Sequence, residues 1–264
     1  NSSSQTLQKT VVGLTAGFVG LSAASAIGGK FIEAAQAGLA MNAMLEKSQI
    51  QFKVLLGSAE AAQARVTDLY DFAATTPFQF GEVLAASRLL QTLTGGALAA
   101  GEGLRFVGDI AAALDIPFQE AAFWVGRLYS NLAAGKTAGE AMTRLRELGV
   151  ISSELEIRME KATKETGTGE AAWASFRKEV GLLSGGAMVA LSNSFDGLMS
   201  TLKDTANQAL GQAFLPQFER AKDLLRTFID FISSSEGQAA ISGFAGRLEG
   251  MTIVAWNTTK SFIA

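Results

Sequence analysis

The stretch from Glu46 to Phe78 constrains the fold most strongly, because apolar residues at helical spacing alternate there with residues that end helices. It reads E-K-S-Q-I-Q-F-K-V-L-L-G-S-A-E-A-A-Q-A-R-V-T-D-L-Y-D-F-A-A-T-T-P-F. Gly57 predicts a helix end, since glycine takes the left-handed conformation without a Cβ penalty. Ser58 then predicts the N-cap of a second helix. Pro77 predicts the end of that helix, because a proline pushes the preceding residue out of the α region.

The same alternation of helix and turn continues along the chain. Thr137 and Glu140 have the spacing of a capping box, which predicts a helix start at that point. No segment shows the period-2 alternation of a half-buried strand. The sequence therefore predicts an all-α fold, a multi-helix array of short amphipathic helices followed by a longer coiled-coil-like helical segment. Further short helices are predicted near residues 82–93, 102–114, 118–132 and 138–148.

From Ala187 onward the apolar residues follow steps of three and four, which is the spacing of a coiled-coil seam. A lone helix would leave such a stripe in water, so we expect it to be a self-association seam between copies of the chain. Pro216 lies between the two halves and predicts a kink or break, because proline has no amide hydrogen for the helix. The apolar seam consists of Leu191, Phe195, Leu198, Leu202, Phe218, Leu225, Phe228 and Ile232.

An uncharged run from Val11 to Gly29 is about as long as a bilayer span, which needs roughly 20 residues. Within it, Gly13 and Gly17 form the G-x-x-x-G pair that lets helices approach closely, and Phe18 adds a large apolar side chain. The run is rich in glycine, alanine and serine, which insert less favourably than leucine or isoleucine. We interpret it as a packing segment, with membrane insertion as the alternative.

Composition and spacing argue against an enzyme. The chain has no histidine and no cysteine, which removes the usual proton shuttle and the strong zinc ligands. Gly135-Lys136 is not a phosphate loop, since Ser130 stands where that motif requires glycine. No catalytic residue, cofactor or metal site is predicted. A net charge of −3 gives no electrostatic basis for specific nucleic-acid binding.

Five short motifs, in order between residues 46 and 150, resemble the conserved N-terminal region of phage tail tape measure proteins. In that family a helix ending L-L-G-S precedes F-A-x-x-T-P-F, then a G-D and later a G-K. Each motif alone is weak, but the order and approximate spacing are more specific. The matching positions are Leu55-Leu56-Gly57-Ser58, Phe72-Ala73, Thr76-Pro77-Phe78, Gly108-Asp109 and Gly135-Lys136.

The resemblance implies a structural component of the virion, inside the tail tube or tail tip. Tape measure proteins set tail length, are released at DNA ejection and can aid passage across the host envelope or membrane. The implied partners are tail tube proteins, tail-tip or baseplate proteins and tail assembly chaperones. This chain is too short to set a tail length by itself, so we expect it to be a segment of a longer protein.

We divide the sequence into residues 1–45, a serine-rich leader with the apolar run, residues 46–150, the tape-measure-like helices, and residues 151–264, a charged helix followed by coiled-coil-like helices. The seam predicts a homotrimer first and a hexamer second. Phe78 is expected to be buried against the Leu55-Leu56 end of the preceding helix. The alternative function is a membrane-active helical protein, such as a pore former or a secreted effector.

Overall fold

The structure is a computed structural model that describes residues 25–136, 138–166, 168–239 and 242. The side chains of residues 25–32 and 195 lie outside this description. The described residues form ten α-helices with the bounds given below, a further helical stretch at residues 235–239 and no strand, which confirms the all-α prediction. The helices are α1 Ser25–Leu56, α2 Ala59–Ala74, α3 Phe80–Thr94, α4 Gly101–Leu114, α5 Phe118–Ala133, α6 Gly139–Glu147, α7 Ser153–Thr166, α8 Glu170–Ser184, α9 Ala187–Ser192 and α10 Phe195–Ser233.

The described residues fall into two compact units. The central unit is Ala43–Ala209, and the terminal unit combines the described residues up to Asn42 with those from Leu210 onward. The central unit spans the predicted boundary at residue 150. The predicted threefold division of the whole chain stays a prediction.

In the central unit, α3 packs against α2 and α5, while α4 contacts α5, α8 and α9. Apolar residues at helical spacing meet in one core, and full burial of each large side chain contributes about 1.5–3 kcal/mol. Gly126 on α5 allows α3 to come close, since a Cβ at that position would lie 3.0 Å from Leu93 Cδ1. The largest fully buried side chains here include Phe52, Leu69, Leu84, Leu90, Leu104, Ile110, Leu128, Leu145, Met159 and Phe176.

The first two predicted turns have the expected helix-ending chemistry. Gly57 has φ +74°, and the Ser58 side chain accepts a hydrogen bond of 3.2 Å from the Ala61 backbone N–H. α2 then ends at Ala74, shortly before Pro77. The L-L-G-S signature is therefore a helix end followed directly by a capped helix start.

The packing partner predicted for Phe78 is wrong. Its ring stacks on Phe118 with centroids 4.5 Å apart and remains half-buried, while Leu55 is 39% exposed. The physical reason is that α3, which follows the turn, packs along α5, and Phe118 is the first residue of α5. A tertiary contact between these helices decides where the ring lies.

In the terminal unit, α1 and α10 cross closely through small residues. A Cβ on Gly38 would lie 2.6 Å from the Leu210 carbonyl oxygen, so only glycine fits at this crossing. The buried Asn42 side chain donates a 2.8 Å hydrogen bond to the Gly211 carbonyl, 169 residues away in sequence. Beyond this crossing, α10 continues through Pro216, so no helix boundary lies at the proline.

Two sequence predictions fall outside the described residues. Gly13, Gly17 and Phe18 lie there, as does Thr137 of the predicted capping box. Within the described chain, no helix combines the length and apolar character that crossing a membrane requires.

Candidate functional site

The apolar seam is the candidate functional site, and the structure places its residues on two helices. Leu191 is on α9, and the remaining members are on α10. Exposure is substantial at Leu198 (57%), Leu202 (61%) and Leu225 (52%), whereas Leu191 is 38% exposed. Phe218, Phe228 and Ile232 are half-buried, and the side chain of Phe195 lies outside the described residues.

In the central unit, Leu198 and Leu202 lie one helical turn apart on α10, and Met199 beside them is 49% exposed. Side chains four residues apart share one helix face, so these residues form a continuous apolar surface. Fully burying one leucine relative to water contributes about 1.5–3 kcal/mol. The chemistry that this surface supports is apolar contact with another protein surface.

In the terminal unit, the seam residues of α10 have further exposed apolar neighbours. Leu224 is 41% exposed and Ile229 is 54% exposed, next to Leu225 and Phe228 respectively. The apolar face of this part of α10 is therefore wider than the two seam positions per heptad that the sequence predicted.

The sequence pattern predicted continuous helix from Ala187 up to a kink or break at Pro216, but the structure interrupts the helix before Phe195. α9 ends at Ser192, and α10 begins at Phe195 after a corner at Asn193-Ser194. The Ser194 hydroxyl oxygen accepts a 3.2 Å hydrogen bond from the Gly197 N–H, which makes Ser194 the N-cap of α10. Local capping chemistry therefore competes with the apolar period, and it separates Leu191 from the rest of the seam.

The Gly108-Asp109 motif contacts the start of α9, the helix that carries Leu191 of the seam. Asp109 is only 9% exposed, and its two carboxylate oxygens accept hydrogen bonds from the backbone N–H groups of Gly186 (3.2 Å) and Met188 (3.0 Å). Gly108 makes room for Met188, since a Cβ there would lie under 3.0 Å from the Met188 sulfur. The motif thus anchors the start of α9 on α4, and it needs no ligand to explain it.

A second carboxylate attaches α10 within the central unit. Asp204 Oδ2 accepts a 3.0 Å hydrogen bond from the Phe80 N–H at the start of α3. Burial raises the pKa of Asp204, although the Phe80 N–H and nearby Lys203 act against that rise. Burial is also the main reason that the pKa of Tyr70, whose ring packs edge-on against Phe80, is raised.

The other predicted features give no site. Gly135 has φ +64° at the end of α5, and Lys136 is exposed. Across the described residues, no group of acidic side chains is arranged to hold a metal ion.

The Ser194 corner was missed by reasoning from the sequence, yet it has a readable signal. The same order of residue types, a serine followed two residues later by an acidic residue and then by a glycine, occurs at Ser194-Phe195-Asp196-Gly197 and at Ser234-Ser235-Glu236-Gly237. In the second case too, the serine oxygen accepts a hydrogen bond, of 3.0 Å, from the Gly237 N–H. A serine N-cap followed by an acidic residue and a glycine could have predicted both corners.

Comparison of the chain with protein-family models, with curated proteins and with solved structures gives no match. The function is therefore inferred from the surface itself and from the motifs described above.

Proposed function

We propose that this chain is a structural segment of a phage tail tape measure protein, which self-associates through the apolar seam inside the tail tube or tail tip. The observation that carries the proposal is the exposed apolar surface of α10 in the central unit, where Leu198 and Leu202 are each more than half exposed. In the terminal unit, Leu225 on the same helix is also more than half exposed. Equivalent helices from other copies would remove this face from water, with three copies preferred and six as the second choice.

The helix junctions also support a structural role. The tape-measure-like motifs at Gly57-Ser58 and Gly108-Asp109 are accounted for by helix capping and close packing. An array of this kind supplies surfaces to other proteins rather than a reaction centre. We therefore propose contacts with tail tube, tail-tip and chaperone proteins, release at DNA ejection, and no enzymatic activity.

Seam variants of the purified chain test the self-association part. Leu198→Glu places a charge on the seam, and Val54→Glu is a matched control, because Val54 is 80% exposed but belongs to α1. In sedimentation velocity, we expect Leu198→Glu to lower the concentration-dependent mass while Val54→Glu leaves it unchanged. Equal behaviour of the two variants would contradict an interface at this part of α10.

Tail particles that carry the full-length protein test the assignment to a tail. We expect cross-links between copies at Leu198 and Leu202, after single cysteine substitutions in a chain that has no native cysteine. A single copy per particle would overturn the proposal. Strong binding of the purified chain to liposomes would instead favour the membrane-active alternative.

A further inference from the structure

We propose that the corner between α9 and α10 is a hinge, and that α9 joins α10 as one straight helix in a second conformation. Asp109 and Ser194 hold the bent conformation seen in the structure. This inference does not depend on the tail assignment, because it concerns two arrangements of residues 187–209 of the chain itself.

The apolar spacing runs through the corner without a change of phase. Leu191, Phe195, Leu198 and Leu202 follow steps of four, three and four, which place them on one face only if a single helix carries them. In the bent conformation Leu191 is on a different helix from the others. A straight helix from Ala187 would therefore restore the face that the sequence encodes.

The bent conformation depends on two residues at the start of α10. Ser194 donates its hydroxyl hydrogen to the Leu191 carbonyl at 2.6 Å, and it accepts from the Gly197 N–H. A Cβ on Gly197 would lie under 3.0 Å from the Leu191 carbonyl oxygen and from Ser192 Cα. Six residues of straight helix rise about 9 Å, so this crowding exists only when the chain is bent. Gly197 is thus compatible with both conformations, whereas alanine fits only the straight one.

Asp109 supplies the restraint from outside the corner. Its two hydrogen bonds hold the N–H groups of Gly186 and Met188, at the start of α9. Within α9, Met188 is the residue that is buried. The start of α9 is thereby fixed on α4. In this position α9 is not collinear with α10, so the chain bends between the two helices.

Straightening exposes Met188, which is fully buried in the bent conformation, and it breaks the two hydrogen bonds that Asp109 accepts from the start of α9. The other large apolar side chains of α9 lose little. Val189 is 54% exposed and Leu191 is 38% exposed in the bent conformation, so neither is part of the core. In exchange, the carbonyl groups of α9 gain the i→i+4 partners that a helix end lacks. The bent conformation is therefore expected to dominate in the parent chain, and substitutions at Gly197 or Asp109 should change which conformation dominates.

Spin labels on α9 and α10 test the hinge directly. Ala190 and Ala206 are exposed, and the chain has no cysteine, so both can be replaced by labelled cysteine in the full chain. Sixteen residues of straight helix separate two backbone positions by about 24 Å, and any bend shortens that distance. Pulsed electron–electron double resonance reports the distribution of distances between the two labels, and subtracting the known reach of the label side chains gives the distance between the two backbone positions.

The first variant is Gly197→Ala, which blocks the bent conformation and favours helix. The matched control is Gly139→Ala, which is also in the first turn of a helix but has nothing within 4 Å of the added Cβ. Asp109→Asn is the second variant, since the amide has one acceptor oxygen where the carboxylate has two. Hydrogen exchange of α2–α5 shows whether each variant keeps the folded central unit.

We expect a major distance shorter than 24 Å in the parent and in Gly139→Ala, and a major distance near 24 Å in Gly197→Ala. Asp109→Asn should raise the population at the longer distance as well. Parent-like distances in both variants would overturn the proposal, as would a broad distribution with no maximum near 24 Å, which would mean that the segment detaches without straightening. A chain that proves not to belong to a tail would leave these outcomes unchanged.

Discussion

Asp109 on α4 accepts a 3.0 Å hydrogen bond from the backbone N–H of Met188, 79 residues further along the chain. The adjacent Gly108 leaves the space that the Met188 sulfur occupies, and Met188 is fully buried. Two neighbouring residues thus recognise one helix start, the first by its lack of a side chain and the second by its carboxylate. The function of a Gly-Asp pair in this array is to attach a distant short helix.

Gly108→Ala should destabilise the central unit by about 1–3 kcal/mol, because the added methyl overlaps the buried Met188 side chain. Urea unfolding measures the change in free energy. In the double variant with Met188→Ala, the effect of Gly108→Ala should be smaller than in the parent, since the overlapping atoms are gone. Strict additivity of the two substitutions would contradict the contact.

Thr76→Val should raise the free energy of unfolding by about 1 kcal/mol. Among the described residues, the Thr76 hydroxyl is buried and has no hydrogen-bond partner, and an unsatisfied buried polar group costs about 1–3 kcal/mol. Valine has nearly the same shape. Thr75→Val is the control, since the Thr75 hydroxyl donates to the Asp71 carbonyl and the residue is exposed. An equal gain in both variants would show that β-branched apolar residues are generally favoured at this turn.

The stability of the central unit should depend on pH through Asp204. Its pKa in the folded protein is raised above the usual value of an aspartate side chain, mainly by burial. A raised folded pKa means that the folded state binds the proton more tightly. The free energy of unfolding that Asp204 contributes is therefore fully present below the unfolded-state pKa of about 3.9. It is lost as pH rises through the folded-state pKa.

Asp204→Asn removes this titration, while its amide oxygen can still accept from the Phe80 N–H. Urea unfolding between pH 3 and pH 7 should show the parent losing stability relative to the variant as pH rises. Lys203, Glu82 and Tyr70 are the charged or titratable groups that act on or near Asp204, and they are the same in both proteins. If the parent gained stability relative to Asp204→Asn as pH rises, the raised pKa of Asp204 would be contradicted.

Asn42→Asp should destabilise the α1–α10 crossing more than Asn42→Ala, although aspartate has nearly the shape of asparagine. The Asn42 amide donates to the Gly211 carbonyl, and an ionised carboxylate there is a buried acceptor facing another acceptor. Alanine should cost about 1–3 kcal/mol, and aspartate more. The difference should be measured by unfolding at neutral pH. A variant with aspartate as stable as the parent would contradict the hydrogen bond.

Local sequence determined much of the secondary structure in physical terms that can be stated residue by residue. Gly57 and Ser58 end one helix and begin the next through backbone freedom and a side-chain cap, both of which need only neighbouring residues. The all-α class follows from the helical period of the apolar residues. Such local features do not depend on which other helix lies nearby.

The tertiary structure decided which surfaces meet and which interactions override the period. Phe78 packs on Phe118, because α3 lies along α5, and no spacing within one segment specifies that pairing. The Ser194 cap and the hydrogen bond from Met188 to Asp109 together separate Leu191 from Leu198. The sequence by itself determined the all-α class, local helix ends such as Gly57-Ser58 and the spacing of the apolar seam. Only the fold determined that α9 is attached to α4, since hydrogen bonds between residues 79 positions apart can be formed only after the intervening helices have packed.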